Sequence, residues 1–155
     1  MSGFLLPRHT VAAHLLLTVG KPRPGEIFLS ERVAHHDGPE TTLEMLNRPE
    51  AFFPFKGEEA GVMLVAKART VMLAVNQHAP EIVDAQRRSV AKAVGLVVVL
   101  ADGSKIEGRA LVELPQYNAR LLDYLNAPEP FFALATEHGT NYVNRSHVLY
   151  ARPME

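Results

Sequence analysis

Three short stretches of the chain are apolar at every position. They are residues 15–17 (Leu-Leu-Leu), 71–75 (Val-Met-Leu-Ala-Val) and 97–99 (Val-Val-Val). A strand with one face in solvent alternates apolar and polar residues, whereas a continuous run is typical of a strand buried on both faces. These runs therefore predict a mainly β protein whose strands pack against the rest of the same chain. A second copy of the chain is the next candidate for such a partner.

A β-hairpin is predicted around residues 96–112. The apolar residues 96–100 are followed by Ala101-Asp102-Gly103-Ser104 and then by the strand-like residues 105–112. Asp-Gly between two such runs is the strongest short-range signal for a hairpin turn. Earlier in the chain, residues 20–25 (Gly-Lys-Pro-Arg-Pro-Gly) stand at the corresponding place, and their prolines predict a longer and stiffer loop.

The chain contains an internal repeat at a spacing of 79 residues. Residues 43–55 (LEMLNRPEAFFPF) and 122–134 (LDYLNAPEPFFAL) align without a gap, and seven of the thirteen positions are identical. With small shifts of register, Gly25 also matches Gly108. Two such copies predict two diverged units, each running strand, turn, strand, short helix, strand, turn, strand. The predicted domains are residues 10–76 and 94–153, joined by a linker at 77–93 in which Pro80 suits the first turn of a short helix.

The repeated motif itself predicts a short capped helix followed by a strand. Thr41 and Glu44 form a capping-box pattern, which begins a helix. Asn47 tolerates the left-handed conformation that ends a helix, and Pro49 cannot continue one. The paired phenylalanines then enter a strand, where neighbouring side chains point to opposite faces. One phenylalanine of each pair is therefore expected in the core, and the other on a second packing surface.

Composition limits the compartment and the partners. The chain has 155 residues, is 47% hydrophobic and contains no cysteine, which excludes disulfides and thiolate metal sites and favours a cytoplasmic protein. Its formal net charge of -1 gives no general attraction for a polyanion, and DNA is not an expected partner. No apolar run approaches the roughly 20 residues of a membrane-spanning helix, so no membrane insertion is expected. Pro7, Arg8 and two histidines interrupt the apolar residues 4–20, which we interpret as a lead-in and a first strand.

The sequence carries no signature of catalysis or of a cofactor. Neither a G-x-G-x-x-G nor a G-x-x-x-x-G-K phosphate loop occurs, and no serine stands in a G-x-S-x-G elbow. His35-His36-Asp37 has metal-ligating side chains, but neighbours on an extended chain point apart and Gly38 marks a loop, so we favour a loop over a metal site. Glu137-His138-Gly139 is interpreted as a hairpin turn. We therefore predict a protein that is not an enzyme and holds no cofactor or metal.

Residues 97–108 (VVVLADGSKIEG) resemble the opening hairpin of the Sm-like fold, and residues 142–148 (YVNRSHV) resemble its closing strand pair. With its helical inserts, the chain resembles uncharacterised bacterial Sm-like proteins more than the RNA-binding rings of that family. The resemblance implies two tandem, small, strongly bent five-stranded barrels. It also implies assembly into rings and single-stranded RNA binding at loop residues, which correspond here to Lys67, Arg69, Tyr117, Asn118, Asn144, Arg145 and His147.

The leading functional prediction is a non-catalytic module for interaction or assembly, which binds a protein partner or a second copy of itself. It rests on the duplicated β-unit and on the strands that are apolar on both faces. Single-stranded RNA binding is the alternative, and it ranks second because the closing motif lacks the Arg-Gly pair of the family and no basic surface for phosphates is evident. A small-ligand site between the two units is a third hypothesis, since pockets favour interfaces.

Overall fold

A computed structural model describes residues 8–31, 38–80, 83, 91–113 and 117–154. Two α-helices lie wholly within these residues: α1 (Thr42–Asn47) and α2 (Tyr117–Leu125). Two 3-10 turns span Lys67–Arg69 and Arg145–His147. The strands are β1 (Arg8–Leu17), β2 (Arg23–Ser30), β3 (Phe52–Gly57), β4 (Gly61–Ala66), β5 (Thr70–Val75), β6 (Ala91–Leu100), β7 (Lys105–Glu113), β8 (Phe131–Ala135), β9 (Thr140–Asn144) and β10 (Val148–Pro153).

The ten strands form one open antiparallel sheet in the order β10-β6-β7-β8-β9-β5-β1-β2-β3-β4. Strands β1–β5 come from the first half of the chain and β6–β10 from the second. The two halves meet where β5 pairs with β9, from Met72 opposite Val143 to Val75 opposite Thr140. We call this pairing, together with the contacts between the two halves beside it, the junction. Strands β4 and β10 stand at the two ends of the order. The prediction of a mainly β protein is thus confirmed.

Each half contains a glycine at which two strands approach closely. A Cβ atom on Gly25 would collide with the carbonyl oxygen of Lys56 on the neighbouring strand β3. A Cβ atom on Gly108 would likewise collide with the carbonyl oxygen of Ala135 on β8. Lys56 and Ala135 are 79 positions apart, which is the spacing of the sequence repeat. Any side chain at either glycine would force the two strands apart.

The buried side chains form two cores, and both halves contribute to each. The first core is built around Leu15, Ile27, Phe53, Phe55 and Leu73 of the first half, and it also receives Phe131, Ala133, Ala135 and Tyr142 from β8 and β9. The second core is built around Leu96, Val98, Leu100, Phe132 and Leu134, and it also receives Val71 from β5. Because neighbours on a strand point to opposite faces, β8 and β9 each serve both cores. Strand β5 also serves both, with Leu73 in the first core and Val71, near the start of the strand, in the second.

The two phenylalanine pairs split across two faces, as predicted. Phe131 enters the first core and Phe132 enters the second core. In the other pair, Phe53 is buried in the first core but Phe52 is 59% exposed. The face of β3 that carries Phe52 is therefore uncovered in the described chain, whereas the sequence predicts a second packing surface there.

The predicted hairpin at residues 96–112 is confirmed as β6 and β7. Val99 lies opposite Lys105, and the turn between them contains Gly103 at a φ of 90°. Oδ1 of Asp102 accepts the backbone N–H of Ser104 at 2.9 Å, which closes the turn. A positive φ is readily adopted by glycine, and this explains the Asp-Gly pair.

Helix α1 begins with the predicted capping box but ends differently from the prediction. Oγ1 of Thr41 accepts the N–H of Glu44 at 3.1 Å, and Oε1 of Glu44 accepts the N–H of Thr41 at 2.8 Å. Asn47 is the last helical residue, and Arg48 leaves the helix in an extended conformation with φ −63° and ψ 155°. The residue before a proline is pushed out of the helical region, so Pro49 accounts for the extended conformation of Arg48, and Asn47 does not adopt the left-handed conformation.

Other predictions fall partly outside the described residues. In the linker, Pro80 and Val83 are helical, and the N–H of Val83 donates to the carbonyl oxygen of Ala79 at 3.2 Å. Residues 81–82 and 84–90 lie outside the description, and so does His35-His36-Asp37. The turn at Glu137-His138-Gly139 is confirmed between β8 and β9. Within the described ranges, no helix combines the length and the apolar character that crossing a membrane requires.

Candidate functional site

The junction brings most of the candidate residues together. The 3-10 turn Lys67–Arg69 connects β4 to β5, and the turn Arg145–His147 connects β9 to β10. Because β5 pairs with β9, the two turns lie side by side, and Nε2 of His147 is 2.8 Å from the carbonyl oxygen of Ala68. Tyr117 and Asn118 lie apart from these turns in sequence, in the first turn of α2. The candidates in or next to the two turns are Lys67, Arg69, Asn144, Arg145 and His147.

Asn144 fastens the two turns to each other. Its buried Nδ2 donates to the carbonyl oxygens of Lys67 at 3.2 Å and Thr70 at 3.0 Å. Its Oδ1 accepts the N–H of Ser146 at 3.0 Å and the hydroxyl of Ser146 at 2.7 Å. A buried amide loses free energy when its polar atoms lack partners, and here both ends are satisfied within the chain. Asn144 is therefore a structural bridge across the junction.

Lys67 closes the end of α1. Its buried ammonium donates to the carbonyl oxygens of Met45 at 2.9 Å and Arg48 at 3.0 Å. The last carbonyl groups of a helix lack partners within the helix and carry a partial negative charge, which a cation stabilises. Burial is the main cause that lowers the pKa of Lys67, and the charge of the neighbouring Arg48 lowers it further. Among the described residues, Arg48 itself pairs with Glu40 at 3.2 Å.

Arg145 closes the end of α2 in the same way. Its Nη2 donates to the carbonyl oxygen of Tyr124 at 2.8 Å, and its Nε donates to that of Leu125 at 3.1 Å. Its Nη1 donates to the carbonyl oxygen of Glu129, just before β8. Burial lowers the pKa of the Arg145 guanidinium. The planar fork of donors thus joins the helix end to the strand that follows it.

Tyr124 lies beneath this guanidinium with its hydroxyl turned toward β8. The hydroxyl donates to the carbonyl oxygen of Ala133 at 3.0 Å, and Cζ of Arg145 is 5.8 Å from the centre of the ring. Burial raises the pKa of Tyr124 to about 12, although the positive charge of Arg145 acts in the opposite direction. The phenol therefore stays neutral near neutral pH and acts as a hydrogen-bond donor.

The contacts of the two cations recur at the spacing of the sequence repeat. In both halves the backbone N–H of the cation donates at 2.8 Å to the residue before the phenylalanine pair, which is Ala51 in the first half and Pro130 in the second. In both halves its side chain donates to a helix residue, Met45 or Tyr124. Both pairs of acceptors are 79 positions apart. The repeated motif thus occupies equivalent surroundings in the two halves.

A further contact reaches across the junction from α1. Nδ2 of Asn47 donates to the carbonyl oxygen of Phe131 at 3.2 Å, and Oδ1 of Asn47 accepts the N–H of Phe131 at 2.9 Å. One side-chain amide therefore satisfies both backbone groups of the first residue of β8. From sequence, Asn47 is predicted only as a helix stop. The signal for its further role was the recurrence of asparagine at Asn126 in the second copy of the motif.

The two end strands of the sheet expose large apolar side chains. On β4 these side chains are Val62 and Leu64, and on β10 they are Leu149 and Tyr150. An open strand edge presents unpaired backbone groups, and apolar residues on it make it a template for pairing with another strand. The sequence predicts strands that are buried on both faces but carries no signal for which of them end the sheet.

A cavity of about 480 Å³ lies mainly in the first half, beside β1 and the residues around the start of α1, and Tyr142 of β9 contributes to its wall. Its wall includes His9, Glu40, His78 and Tyr142. The carboxylate of Glu40 is engaged, because it accepts the N–H of Ser30 at 3.1 Å and pairs with Arg48. The second half contributes Tyr142 to this wall, and a small-ligand site between the two units stays a prediction. Across the ranges that the structure describes, no three histidine, aspartate or glutamate side chains are gathered to hold a metal ion.

Two features of the described chain thus stand out: a junction held by buried hydrogen bonds, and two apolar sheet edges. The polar atoms of Lys67, Asn144 and Arg145 bind within the chain, so they act in folding. Apolar side chains of β4 and β10 face solvent. No protein-family model matches this chain, and neither a curated protein nor a solved structure matches it.

Proposed function

We propose that the protein is a non-catalytic assembly module, made of two tandem Sm-like units, whose open sheet edges pair with strands of other protein chains. The observation that carries the proposal is the apolar character of these edges. Strand β4 (Gly61–Ala66) contains no charged residue and exposes Val62 and Leu64. Natural edge strands are usually short, charged or covered, which prevents unwanted pairing. An apolar edge without these protections is favoured as a binding surface.

Two related units are supported by the order of the elements and by their contacts. Each half runs through two strands, a helix and three further strands, with a 3-10 turn before the last one. In each half a cation, the buried Lys67 or the half-buried Arg145, closes the helix. In each half a glycine, Gly25 or Gly108, admits the neighbouring strand. Five strands in this order are what the Sm-like resemblance implies.

Single-stranded RNA binding ranks behind assembly. Affinity for RNA requires cations that are free to meet phosphates. Lys67 and Arg145 instead donate to carbonyl oxygens at the ends of α1 and α2, and Asn144 donates across the junction. Arg69 is exposed, and His147 contacts the neighbouring turn. A filter-binding titration decides the alternative, because retention at low salt that weakens as salt rises would support RNA binding.

The assembly proposal is tested by asking whether the edges retain protein. The wild-type chain and the double variant Leu64→Lys/Leu149→Lys are immobilised, incubated with cell extract and with purified chain, and the bound proteins are quantified by mass spectrometry. A charge in the middle of β4 and another near the start of β10 oppose strand pairing. We expect the wild type to retain at least one protein, its own chain included, that the double variant loses.

The matched control for this experiment is Val19→Lys. Val19 is also exposed and apolar, but it lies in the bend after β1 and belongs to neither edge strand. The control should retain the same proteins as the wild type. Equal recovery by the wild type, the control and the double variant would contradict the proposal, because nothing would then depend on the edges.

A further inference from the structure

The strand pairing at the junction indicates which kind of strand fits the open edges. At the junction, β5 is the last strand of the first half and β9 is the fourth strand of the second half. The two open edges are β10, the last strand of the second half, and β4, the fourth strand of the first half. The chain therefore presents at its two ends the same two kinds of strand that already pair within it.

The apolar side chains exposed at the edges correspond to buried residues at the junction. The two 3-10 turns and the strands on either side of them align at a spacing of 78 residues. Three of the four exposed side chains then have a counterpart that the other half covers, and the fourth, Tyr150, corresponds to the half-buried Met72. The pairs are Leu64 (75% exposed) and Tyr142 (2%), Val62 (60%) and Thr140 (1%), and Leu149 (62%) and Val71 (9%). The two edges therefore expose side chains at positions that are buried at the junction, where the other half covers them.

Phe52 and Asn126 extend this correspondence to the helices. At the junction, Asn47 binds both backbone groups of Phe131, whose side chain is buried in the first core. At the spacing of 79 residues their counterparts are Asn126, directly after α2, and Phe52, the first residue of β3. Asn126 is exposed and Phe52 is 59% exposed. Both members of a second such contact are therefore present, and both face solvent.

We propose that a second copy of the chain binds head to tail, so that β10 of one copy pairs with β4 of the next. In the same contact, the Asn126 amide binds the backbone of Phe52 of the next copy. The inference rests on the proposed function, because it names the partner that the open edges take. The junction predicts an antiparallel register that runs from Tyr150 opposite Val65 of the next copy to Pro153 opposite its Val62.

Two consequences follow from this arrangement. The contact uses two different surfaces, so every added copy leaves one edge of each kind open, and assembly continues beyond two copies until the ends meet. The contact between copies is also weaker than the junction. Ala66 stands where the junction has Asn144, so the amide that binds the carbonyl oxygens of Lys67 and Thr70 has no equivalent. Assembly should therefore depend on protein concentration.

Variants blocked at one edge separate this arrangement from others. Leu64→Lys blocks β4 and leaves β10 free, whereas Leu149→Lys blocks β10 and leaves β4 free. Both side chains are exposed, and circular dichroism with thermal unfolding checks that each variant keeps the fold. Size exclusion with light scattering should show the wild type and the Val19→Lys control above one copy, and each edge variant alone at 17.1 kDa.

The decisive sample is the equimolar mixture of the two edge variants. Each variant supplies the edge that the other lacks, so the mixture should form a complex with one copy of each. A dimer formed by either variant alone would overturn the head-to-tail arrangement, although edge pairing, and with it the proposed function, would stand. A mixture that stays at one copy while the wild type assembles would also overturn it. A wild type that stays at one copy at every concentration would do the same, whereas the proposed function fails only if the immobilised chain retains no edge-dependent protein.

The contact between Asn126 and Phe52 has its own test. Asn126→Ala should weaken association about ten-fold, the effect of losing two hydrogen bonds, while the thermal unfolding of the single copy stays unchanged. Asn126→Asp keeps the acceptor and loses the donor, so it should fall between the wild type and Asn126→Ala. Association of Asn126→Ala with wild-type strength would overturn this contact.

Discussion

Lys67 and Arg145 each join a helix to the strands that follow it. From sequence, their charges are attributed to phosphate binding through the Sm-like resemblance. In the structure, each cation begins a 3-10 turn and donates to carbonyl groups at the end of a helix. Both have a lowered pKa, with burial as the main cause. The cost of burying these charges is offset by hydrogen bonds, which makes both residues determinants of stability.

Lys67→Met tests the structural role of the lysine. Methionine keeps the unbranched apolar stem but removes the ammonium that donates to the carbonyl oxygens of Met45 and Arg48. We expect the free energy of unfolding in urea to fall by about 1–3 kcal/mol. The control is Lys105→Met, an exposed lysine on β7, which should change it by less than about 0.5 kcal/mol. Equal stability of the two variants would contradict the structural role of Lys67.

Tyr124→Phe tests the raised pKa of the phenol. The pKa of the hydroxyl is 10.0 in an unfolded chain and about 12 in the fold, where burial disfavours the charged form. The contribution of the neutral phenol is complete below pH 10 and is lost as the pH rises toward 12, since the unfolded chain ionises first. Between these values the wild type should lose stability faster than Tyr124→Phe, as measured by denaturant unfolding. Parallel pH profiles would refute the raised pKa.

At the scale of elements, some helix ends and turns are set by residues close in sequence, and others by contacts with distant parts of the chain. Helix α1 begins where Thr41 and Glu44 form a capping box, and both residues are read directly from sequence. The end of the helix has two parts: Pro49 excludes the helical conformation at Arg48, and Lys67 from a distant turn satisfies the last carbonyl groups. The β6–β7 hairpin is local throughout, because Asp102 and Gly103 close it themselves.

Thr41→Ala tests the cap of α1. The variant removes the acceptor for the N–H of Glu44, so the first turn of the helix loses a hydrogen bond. We expect a loss of about 1 kcal/mol in the free energy of unfolding, measured in urea. Thr18→Ala, at an exposed bend after β1, serves as the matched control and should leave the stability within about 0.5 kcal/mol. A loss of the same size in both variants would mean that the cap contributes nothing specific.

At the scale of the molecule, the two halves are joined by more than a linker. Strands β8 and β9 send alternate side chains into the first and second cores, and β5 places Leu73 in the first and Val71 in the second, so neither core is complete within one half. Hydrogen bonds from Asn47 and Asn144 cross the same junction. A junction of this kind couples the unfolding of the halves, because removing one half exposes apolar residues of the other.

Cavity variants in the two cores test this coupling. Leu73 lies in the first core and Leu96 in the second, and both are fully buried. Each change to alanine should cost about 2–5 kcal/mol. Both variants should lower the temperature of one shared calorimetric transition, because the halves unfold together. A trace with two separate transitions, only one of which moves in each variant, would show independent halves.

The sequence by itself determined the features that depend on neighbours along the chain. The capping box at Thr41, the turn at Gly103 and the splitting of each phenylalanine pair each follow from the conformation of a few consecutive residues. The mainly β class follows from the apolar runs, which are a local pattern as well. The recurrence of Asn47 as Asn126 was visible, although it indicated only that the residue matters in both copies.

Only the tertiary structure decided which strands meet and which remain open. The contact between Asn47 and Phe131 joins residues 84 positions apart, and no periodicity encodes such a pairing. A continuous apolar run states that both faces of a strand are buried, but it does not identify what buries them. For the same reason, the sequence could not show that Lys67 and Arg145 donate to carbonyl oxygens within the chain, although their charge suggests phosphate binding. Their acceptors are helix ends far away in sequence, and only the folded chain brings them within hydrogen-bond distance.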